Sequence, residues 1–591
     1  MSPLALKLRS SMRLSLVAVA LVAFAACGDT ESSGTAGATT RSDAFCDVAL
    51  ETVAAYQAEA GAAYQADAGA SAIASGPEER YGGTVVVGVI ADLSDGMNAL
   101  VSADHAANQH QIFANLMTLI QVDETLEPTP YLAESWEVAD DASSVTFTLR
   151  DDVRWHDGEI TDAEDVAFTY ERATTPETGF PNAAFWDSYT GVEVLDARTV
   201  RFTMEPHADF MDPWRSMAIM PEHLLGDVPP SELKQHPYGT QCPVGNGPFV
   251  FGAHRPQESW TFTANPEFPA GLGGRPYVDR YVLRIVPEPT TLLTELLTEN
   301  IDVYMNPPAD QAAQIVAEPG IGLLAFDFRD YVYVAWNSRR PALADTNVRR
   351  ALTLGTNRAE IVEALLAGYG QVANTSVPPF HWAYDSSLEG ADAYDPNEAM
   401  RLLEGAGWTD RDGDGIRENA AGVPLELEVK FNDGNQTRQD IAEIMQAQLS
   451  RIGVAVRPVV MEWTTLIEQI TSEERDFDGV VMGWVTELKV DDTDLFSGER
   501  LDGPYAFSGT RNARLDQLLD TLQTIVDREE ALPLWKEYQR VLNDVHPYTF
   551  LYYSDRLAGV NERVRGVEMD VRGEWLNIDD WWIAPADRRR R

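Results

Sequence analysis

The chain has 591 residues, of which 44% are hydrophobic, and carries a formal net charge of −48 at pH 7. A single hydrophobic core stops growing at about 250–300 residues, so this length predicts at least two domains. Proteins that bind nucleic acid present a basic surface to the phosphates, so the acidic charge excludes nucleic acid as an expected partner.

The N-terminus predicts export. Three basic residues, the last of them Arg13, precede a mostly apolar run over residues 14–26, and Cys27 follows directly. This pattern is typical of a secretory signal peptide, and the run is shorter than the ~20 apolar residues of a membrane-spanning helix. The small residues before Cys27 resemble a bacterial lipoprotein cleavage site, so residues 1–26 are predicted as a lipoprotein signal peptide with lipidation at Cys27. Ordinary cleavage with an unmodified Cys27 is the alternative.

Residues 27–80 are rich in Ala, Gly, Ser and Thr, a composition typical of a flexible tether. We therefore expect a tether here, in which residues 43–67 form at most a transient helix. Cys46 lies in this segment, and Cys242 is the other cysteine that remains after Cys27. Two such cysteines can pair in an oxidising compartment, but the tether position of Cys46 leaves this pairing open.

The common catalytic motifs are missing from the sequence. It contains no His-Glu-x-x-His, Gly-x-Ser-x-Gly, phosphate-loop or Gly-x-Gly-x-x-Gly pattern, and no Cys-x-x-Cys pair, which are the signatures of several large enzyme and metal-site classes. The combination Trp155-His156-Asp157-Gly158 is interpreted as a turn, since Asp-Gly is a preferred turn pair. We therefore expect no enzyme activity, no cofactor and no metal site.

From residue 81 onward, strand and helix patterns alternate. Residues 84–90 form a β-branched run bounded by glycines, which predicts a buried strand, and residues 144–150 alternate polar with apolar side chains, which predicts a half-exposed strand. Residues 161–172 predict a helix, with Thr161 as N-cap and Glu164 completing a capping box. Similar alternation recurs later in the chain. It predicts two or more α/β lobes with a ligand cleft between them.

A series of motifs in a fixed order resembles family 5 of the extracellular solute-binding proteins, the dipeptide- and oligopeptide-binding components of ABC importers. The motifs include Ala133-Glu-Ser-Trp-Glu-Val-Ala-Asp-Asp141, Trp155-His-Asp-Gly158, Gly245-Asn-Gly-Pro-Phe249, Leu402-Leu-Glu-Gly-Ala-Gly-Trp408, Phe477-Asp-Gly-Val-Val-Met-Gly-Trp484 and Asn561-Glu-Arg-Val-Arg-Gly566. The resemblance extends over residues 80–583, which is nearly all of the chain after the predicted signal.

The resemblance implies an α/β fold of the periplasmic-binding-protein type. Two lobes surround a ligand cleft, a smaller extra domain packs on the first lobe, and a hinge closes the lobes over the ligand. The expected boundaries are 81–116, 196–285 and 546–585 for lobe I, 117–195 for the extra domain and 286–545 for lobe II. We expect an exported monomer, anchored to the membrane through lipid, that delivers a small peptide to ABC permease and ATPase subunits.

The resemblance also implies substrate-binding residues. Glu487 follows the Gly-Trp motif where peptide-binding relatives carry an aspartate, and its carboxylate is expected to pair with a peptide ammonium group, because an unpaired buried charge is unfavourable. A solvent-facing Glu487 in an acidic loop is the alternative. Trp484 belongs to the same motif. Trp463 is assigned to the cleft or to the core. Three further residues are expected near the ligand, namely Asn246, Gly247 and Ala103.

The ligand class is left open in part. Peptides are the favoured ligand, but the family also contains binders of oligosaccharides, haem, opines and metal chelates, and His105 and His110 leave the chelate branch open. A secreted hydrolase is the alternative from another functional class. Residues 410–421 space three aspartates as calcium loops do, but Ala421 stands where such loops place a bidentate glutamate, so calcium binding also stays open.

Overall fold

The structure is a computed structural model that describes residues 36–68, 78–93, 96–486, 488 and 490–588. The strands in these ranges are β1 Thr84–Val89, β2 Ile120–Val122, β3 Pro128–Pro130, β4 Ala133–Val138, β5 Ser144–Leu149, β6 Tyr189–Asp196, β7 Thr199–Met204, β8 Phe249–Arg255, β9 Ser259–Ala264, β10 Arg280–Ile285, β11 Val303–Met305, β12 Ile321–Asp327, β13 Asp330–Trp336, β14 Gly370–Val372, β15 Glu426–Asn432, β16 Ala455–Met461, β17 Gly479–Val485, β18 Tyr548–Asn561, β19 Val564–Arg565 and β20 Trp582–Ile583.

The helices are α1 Ala36–Ala68, α2 His105–His110, α3 Ala163–Thr174, α4 Asp212–Ser216, α5 Glu222–Leu225, α6 Tyr238–Gln241, α7 Pro289–Leu297, α8 Ala312–Ala317, α9 Thr346–Leu354, α10 Arg358–Leu366, α11 Pro396–Gly405, α12 Gln436–Leu449, α13 Trp463–Thr471, α14 Thr493–Phe496, α15 Ala513–Leu522 and α16 Arg528–Val545. None of these helices combines the length and the apolar character that a bilayer crossing requires.

Lobe I is built around β1. This strand pairs in parallel with β10 on one side and β11 on the other, and β9 and β8 continue the sheet beyond β10 in antiparallel order. Val85 and Val87 are fully buried on one face, as expected for the β-branched run predicted from the sequence. Gly88 points to the other face, where a Cβ atom would lie 2.5 Å from both Leu292 and Ile301. The predicted strand is therefore confirmed.

Lobe II has its own set of strands in the order β16-β15-β17-β13-β18. The strand β15 pairs in parallel with β16 and β17, whereas β13 runs antiparallel to β17 and β18. Two hydrophobic clusters cover the two faces of this sheet, one around Tyr333 and Tyr548 and the other around Trp336 and Val429. The central strands β13 and β17 are covered on both faces, which explains why they are mostly apolar.

The long strand β18 joins the two lobes. Its first half, up to Ser554, pairs with β13 and β14 of lobe II. Its second half, from Asp555, pairs with β11 and β12 of lobe I. The segment from β12 to β13 crosses beside it in the opposite direction. Two lobes connected by a pair of adjacent crossing segments can close about that crossing as a hinge.

The extra domain is a four-stranded antiparallel sheet in the order β4-β5-β7-β6, and α3 packs on it. The alternation predicted for residues 144–150 is confirmed, since every second side chain of β5 is buried. The N-cap of α3 differs from the prediction. Asp162 accepts hydrogen bonds from the N–H groups of Glu164 and Asp165, and the carboxylate of Asp165 accepts the N–H of Asp162. The predicted cap Thr161 lies one residue too early.

The strand pairing moves two of the expected domain boundaries. Strand β7, which follows residue 195, pairs with β5 and β6, so the extra domain extends to Met204. Strands β11 and β12, which follow residue 285, pair with lobe I strands, so the lobe II sheet begins at β13. The domain to which a strand belongs is decided by the strand with which it pairs. The sequence pattern of a strand does not show which strand that is.

The expected flexible tether is wrong for residues 36–68, which form helix α1. Cys46, Ala49 and Val53 of α1 are buried, and the latter two belong to the core that lobe I shares with the extra domain. Cys46 forms a disulfide with Cys242, with Cα atoms 5.4 Å apart. Alanine is the best helix former, and packing with the cross-link supplies the tertiary contacts that a polar alanine-rich helix lacks by itself.

Helix α1 also covers the turn at residues 155–158. Gly158 has a φ of +100° and its N–H donates to Trp155 O at 2.9 Å, which confirms the predicted turn. The ring of Tyr56 lies so close to Gly158 that a Cβ atom there would approach it to 2.8 Å. Gln57 donates to the carbonyl of His156 at 3.1 Å. Glycine at residue 158 therefore serves both the left-handed backbone and the contact with α1.

Candidate functional site

A cavity of about 250 Å³ opens where lobe I, the extra domain and lobe II meet. We call it the small cavity. On the lobe I side it is lined by α2 with the loop before it and by the chain between β19 and β20. Further lining residues come from the segment before β6, from α4 and from the chain at the ends of β12 and β17. These residues are Ala103, His105, Asn108, Gln109, Ile112, Phe113, Thr118, Gln121, Val122, Asn182, Phe185, Arg215, Ser216, Arg329, Val485, Leu488, Arg572 and Leu576.

The lobe I side of the small cavity is held by the start of α2. Asp104 caps this helix, and its carboxylate accepts the N–H groups of Ala106 at 2.9 Å and Ala107 at 3.3 Å. The amide of Asn108 donates to the carbonyl of Ser102 at 3.1 Å. These bonds fix the loop in which Ala103 lies, and Ala103 is one of the residues that line the cavity.

The lobe II side of the small cavity is formed by the end of β17. Trp484 is half-buried there, stacks on Phe507 with ring centroids 6.0 Å apart and meets the edge of Tyr505 at 5.6 Å. The next residue, Val485, is 58% exposed and lines the cavity. Glu487 lies outside the described residues, so its assignment to a ligand ammonium group stays a prediction. Trp484 itself is not among the described residues that line the small cavity.

Trp463 lies apart from the small cavity. It is the first residue of α13 and is 47% exposed. The guanidinium carbon of Arg438 lies 5.9 Å from its ring centroid, a contact of the cation–π type. Trp463 is therefore not a core residue, and it does not line either of the cavities described for this region.

Asn246 and Gly247 are buried and make packing contacts within the protein interior. Asn246 is 1% exposed, its Oδ1 accepts the N–H of Met117 at 2.9 Å and its Nδ2 donates to Thr161 at 3.3 Å. The N–H of Gly247 donates to Asn115 O at 3.0 Å, and a Cβ atom there would lie 2.8 Å from the Ala114 carbonyl. Neither residue lines the small cavity. The motif is explained by this close backbone packing.

The two histidines of α2 have different surroundings. The ring of His110 is fully buried among aromatic side chains, 4.7 Å from that of Phe262, and its Nε2 lies 2.5 Å from the Tyr281 hydroxyl. Burial lowers the pKa of His110 to about 3. His105 lines the cavity, so the two rings do not face a common site. This arrangement offers no pair of imidazoles to a metal chelate in the small cavity.

Two guanidinium groups and the Asp104 carboxylate lie near His105. Crowding by protein atoms lowers its pKa to about 4, and the nearby Arg329 and Arg556 guanidinium groups contribute to this shift. The His105 side chain keeps an exposed surface towards the cleft, so it is crowded but not sealed off from water. At neutral pH the imidazole is uncharged and offers one hydrogen-bond donor and one acceptor.

A larger cavity of about 790 Å³ lies next to the small one, between the extra domain and lobe II. The two cavities share three lining residues, Val122, Arg215 and Leu488. The larger cavity is bordered by aromatic side chains, among them Trp136 and Trp535. The shared residues show that the two cavities adjoin, and together we call them the cleft.

A contact between the two sides bridges this cleft. Arg528, the first residue of α16 in lobe II, donates to the carboxylate of Glu127 at 2.8 Å and to the carbonyls of Thr125 and Leu126. These acceptors lie between β2 and β3. The Arg528 guanidinium also lies 5.2 Å from the Trp382 ring centroid on its own lobe. We refer to this contact as the Arg528 clasp.

Comparison with known proteins decides the family. The family model for bacterial extracellular solute-binding proteins, family 5 middle, matches residues 127–499. The chain belongs to that family. This solute-binding protein is 30% identical over 521 residues to the oligopeptide-binding protein AppA of Bacillus subtilis, a match that covers 87% of this chain and 94% of AppA.

Other relatives show the range of this family. The structure of AppA from Bacillus subtilis in complex with a nonapeptide aligns with a TM-score of 0.69 at 29% identity, covering 85% of this solute-binding protein and 99% of that chain. The heme-binding protein A of Haemophilus influenzae is 26% identical over 487 residues, covering 78% of this chain and 84% of that protein. The expected α/β fold with two lobes around a cleft is therefore confirmed.

The acidic loop of this solute-binding protein lies away from the cleft, on lobe II. Carboxylate oxygens of Asp410, Asp412, Asp414 and Glu418 all lie within 4.8 Å of one another. Several of them already accept backbone N–H groups of the loop, as Asp410 does from Gly413 at 2.7 Å. These bonds stabilise the turn without an ion, and calcium binding stays a prediction.

Three arginines of the small cavity were missed from the sequence. Arg215, Arg329 and Arg572 come from three segments that are far apart in the chain, and none of them belongs to a motif. A local pattern could not have identified them, because only the closure of the lobes brings their side chains to one place.

Proposed function

We propose that this protein is the exported substrate-binding component of an ABC importer and that it captures peptides in the cleft. The lobes close over the ligand and the closed complex is delivered to a membrane permease. Import of another solute, such as an oligosaccharide, a metal chelate, haem or an opine, is the alternative.

The proposal rests on the cleft together with the similarity of this chain to a peptide-binding relative. The small and larger cavities share lining residues and offer adjoining spaces of about 250 and 790 Å³. The relative that is 30% identical over most of both chains is named an oligopeptide-binding protein, and its structure was solved with a nonapeptide. The haem-binding relative is the reason for keeping the alternative. Fold alone does not fix the ligand.

Native mass spectrometry of the purified protein tests the ligand class. The intact complex is weighed, then denatured, and the released molecules are identified. A set of short peptides would support the peptide proposal and give the preferred length. A single sugar, chelate or haem mass would contradict peptide binding and favour the alternative.

We also propose a lipoprotein signal peptide and a lipid anchor at Cys27. The basic and apolar segments before Cys27 support export, and the disulfide between Cys46 and Cys242 suits an oxidising compartment. A Cys27→Ser variant is expected to lose membrane attachment, measured by fractionation of the expressing cells. Unchanged retention of the variant in the membrane fraction would contradict the anchor.

A further inference from the structure

The charge of the small cavity is opposite to that of the protein. Of the 591 residues, 93 are Asp or Glu and the net charge is −48. None of the described residues that line the small cavity is acidic, whereas three of them are arginines. Glu487 and Lys489, which flank Leu488 outside the described residues, carry opposite formal charges. Such local reversal of a strongly acidic background concentrates anions at the site.

Among these cations, Arg215 gives the strongest evidence for an anion-binding site. Its side chain is only 9% exposed, and its Nε donates to Asp212 at 2.8 Å. Its Nη2 is buried and has no hydrogen-bond partner among the described residues. A guanidinium group has five N–H donors, and a buried donor without a partner is unfavourable. Because Arg215 lines both cavities, a ligand carboxylate at their junction would supply the missing acceptor.

The other two arginines extend the same surface. Arg572 lines the cavity and is paired with Asp570 at 2.6 Å, whereas Asp570 is not among the described lining residues. Arg329 is 4% exposed and lines the cavity. The positive charge of the Arg329 guanidinium opposes protonation of His105. A neutral His105 leaves the arginines as the charged groups of the described lining.

We propose that the small cavity selects carboxylate groups of the ligand, and that Arg215, Arg329 and Arg572 bind them. The larger cavity, whose lining includes six acidic residues, takes no part in this selection. Resting on the function proposed above, this predicts a preference for peptides with Asp or Glu side chains over neutral peptides, and over peptides with Lys or Arg. A planar carboxylate accepts two parallel N–H bonds from a guanidinium group, so arginine suits this role. A lysine side chain in the same place would meet like charges, which is unfavourable.

Alternating Ala-Glu, Ala-Gln and Ala-Lys peptides of three, five, seven and nine residues test the proposal. Their dissociation constants are measured by calorimetry with the full mature protein, and citrate serves as a carboxylate-rich probe that is not a peptide. We expect Ala-Glu peptides to bind about tenfold or more tightly than Ala-Gln peptides of equal length, and Ala-Lys peptides to bind most weakly.

Variants assign the preference to the arginines. Arg215→Gln is expected to reduce the ratio between Glu and Gln peptides to about threefold or less, and Arg572→Gln provides a second reading if the first variant folds poorly. The ratio is internal to each variant, so a partly folded sample does not distort it. Arg514→Gln is the matched control, because Arg514 is paired with Glu537 at 2.7 Å away from both cavities. It should leave the ratio unchanged.

The outcomes separate the two proposals. Equal binding of Glu and Gln peptides, tighter binding of Lys peptides, or a ratio that survives Arg215→Gln and Arg572→Gln would overturn the carboxylate proposal and leave the peptide function intact. Binding of citrate without any peptide would support carboxylate selection and overturn the peptide function. Failure of every probe would overturn both.

Discussion

Asp492 anchors the chain that follows the Gly-Trp motif to the core of lobe II. Its carboxylate is 5% exposed and accepts hydrogen bonds from the hydroxyl of Tyr538 at 2.6 Å and from that of Ser376. Burial raises the pKa of Asp492 to about 6, although these hydrogen bonds oppose the shift. Leu488 and Val490, which line the cleft, precede this anchor directly, so the anchor helps to fix the cleft wall.

This raised pKa predicts a pH-dependent cost in stability. In the unfolded chain Asp492 ionises near its usual pKa, whereas the folded chain holds the proton up to about pH 6. The folded state therefore loses stability as pH rises between about 4 and 6, and the loss persists above that window. Asp492→Asn removes this dependence. The free energy of unfolding of the variant should rise relative to wild type by about 1–3 kcal/mol between pH 4 and pH 7.5.

Chemical denaturation at both pH values measures this difference. Only the change with pH is diagnostic, because the amide also alters the hydrogen bonds to Ser376 and Tyr538 by an amount that does not depend on pH. Asp141→Asn is a control at an exposed turn, where the carboxylate is not buried. A constant difference between Asp492→Asn and wild type across this range would contradict the raised pKa.

Glu487 carries the second prediction at this scale. If its carboxylate pairs with a peptide ammonium group, Glu487→Gln should weaken binding of peptides with a free amino terminus by about tenfold. N-acetylated peptides lack that charge and should lose little. Comparison of both peptide forms on both proteins by calorimetry measures the effect, and equal losses for the two forms would contradict the assignment.

Site residues were predictable only where a motif coincides with the cleft. The Gly-Trp motif marks the end of β17, which lies at the small cavity, and Ala103 lies on a loop that enters it. Asn246 and Gly247 belong to an equally clear motif, but their side-chain and backbone contacts support lobe I. A motif reports that a position is constrained and does not distinguish packing from binding.

Helix α1 shows the same limit at the scale of an element. Its alanine-rich sequence has high helix propensity, but an isolated polar helix is marginal, so composition favoured a tether. The side chains that decide the outcome are small and few. Phe45 packs its ring 4.6 Å from that of His236, and the disulfide ties Cys46 to Cys242 beside it. These partners lie about 190 residues later in the chain, out of reach of any local pattern.

The disulfide is expected to hold α1 on the lobe. A cross-link between residues 196 positions apart restricts the unfolded chain strongly, and loss of a native disulfide costs about 2–5 kcal/mol. The double variant Cys46→Ser, Cys242→Ser should therefore lower the free energy of unfolding by this amount. Amide hydrogen exchange in α1 should accelerate more than in β1, because the helix has fewer buried contacts than the central strand.

Reduction of the wild-type protein with a thiol gives an independent measurement without any substitution. It should reproduce the exchange pattern of the double variant. Unchanged protection of α1 after reduction would show that packing alone holds the helix, and would contradict the role assigned to the disulfide.

At the scale of the whole molecule, the sequence predicted the two-lobed architecture but not where the lobes exchange strands. Strand β18 is continuous, and the polar residues Ser554, Asp555 and Arg556 interrupt its apolar pattern where its partners change from lobe II to lobe I. This interruption does not tell which strands are the partners on either side. Likewise β12 and β13 are consecutive strands that belong to different lobes. The partner of a strand depends on distant segments of the chain, so a local sequence pattern could not predict the boundaries between the lobes.

The Arg528 clasp predicts how closure is controlled. The ion pair with Glu127 is partly exposed and is worth at most about 1 kcal/mol, but the two carbonyl acceptors Thr125 and Leu126 add hydrogen bonds of about 1 kcal/mol each. These contacts add up to about 2–3 kcal/mol, so Arg528→Ala should shift the equilibrium between open and closed lobes towards the open form by about 30- to 150-fold. The apparent dissociation constant of the ligand should rise in proportion as the closed fraction falls.

Small-angle scattering without ligand and calorimetry with ligand measure the two effects. The variant should show a larger radius of gyration than wild type, and saturating ligand should reduce that difference because ligand contacts favour the closed form. Arg514→Ala removes an ion pair that lies within lobe II and should change neither quantity. If Arg528→Ala weakens binding while the radius of gyration stays at the wild-type value, Arg528 acts on the ligand side of the cleft and the clasp does not control closure.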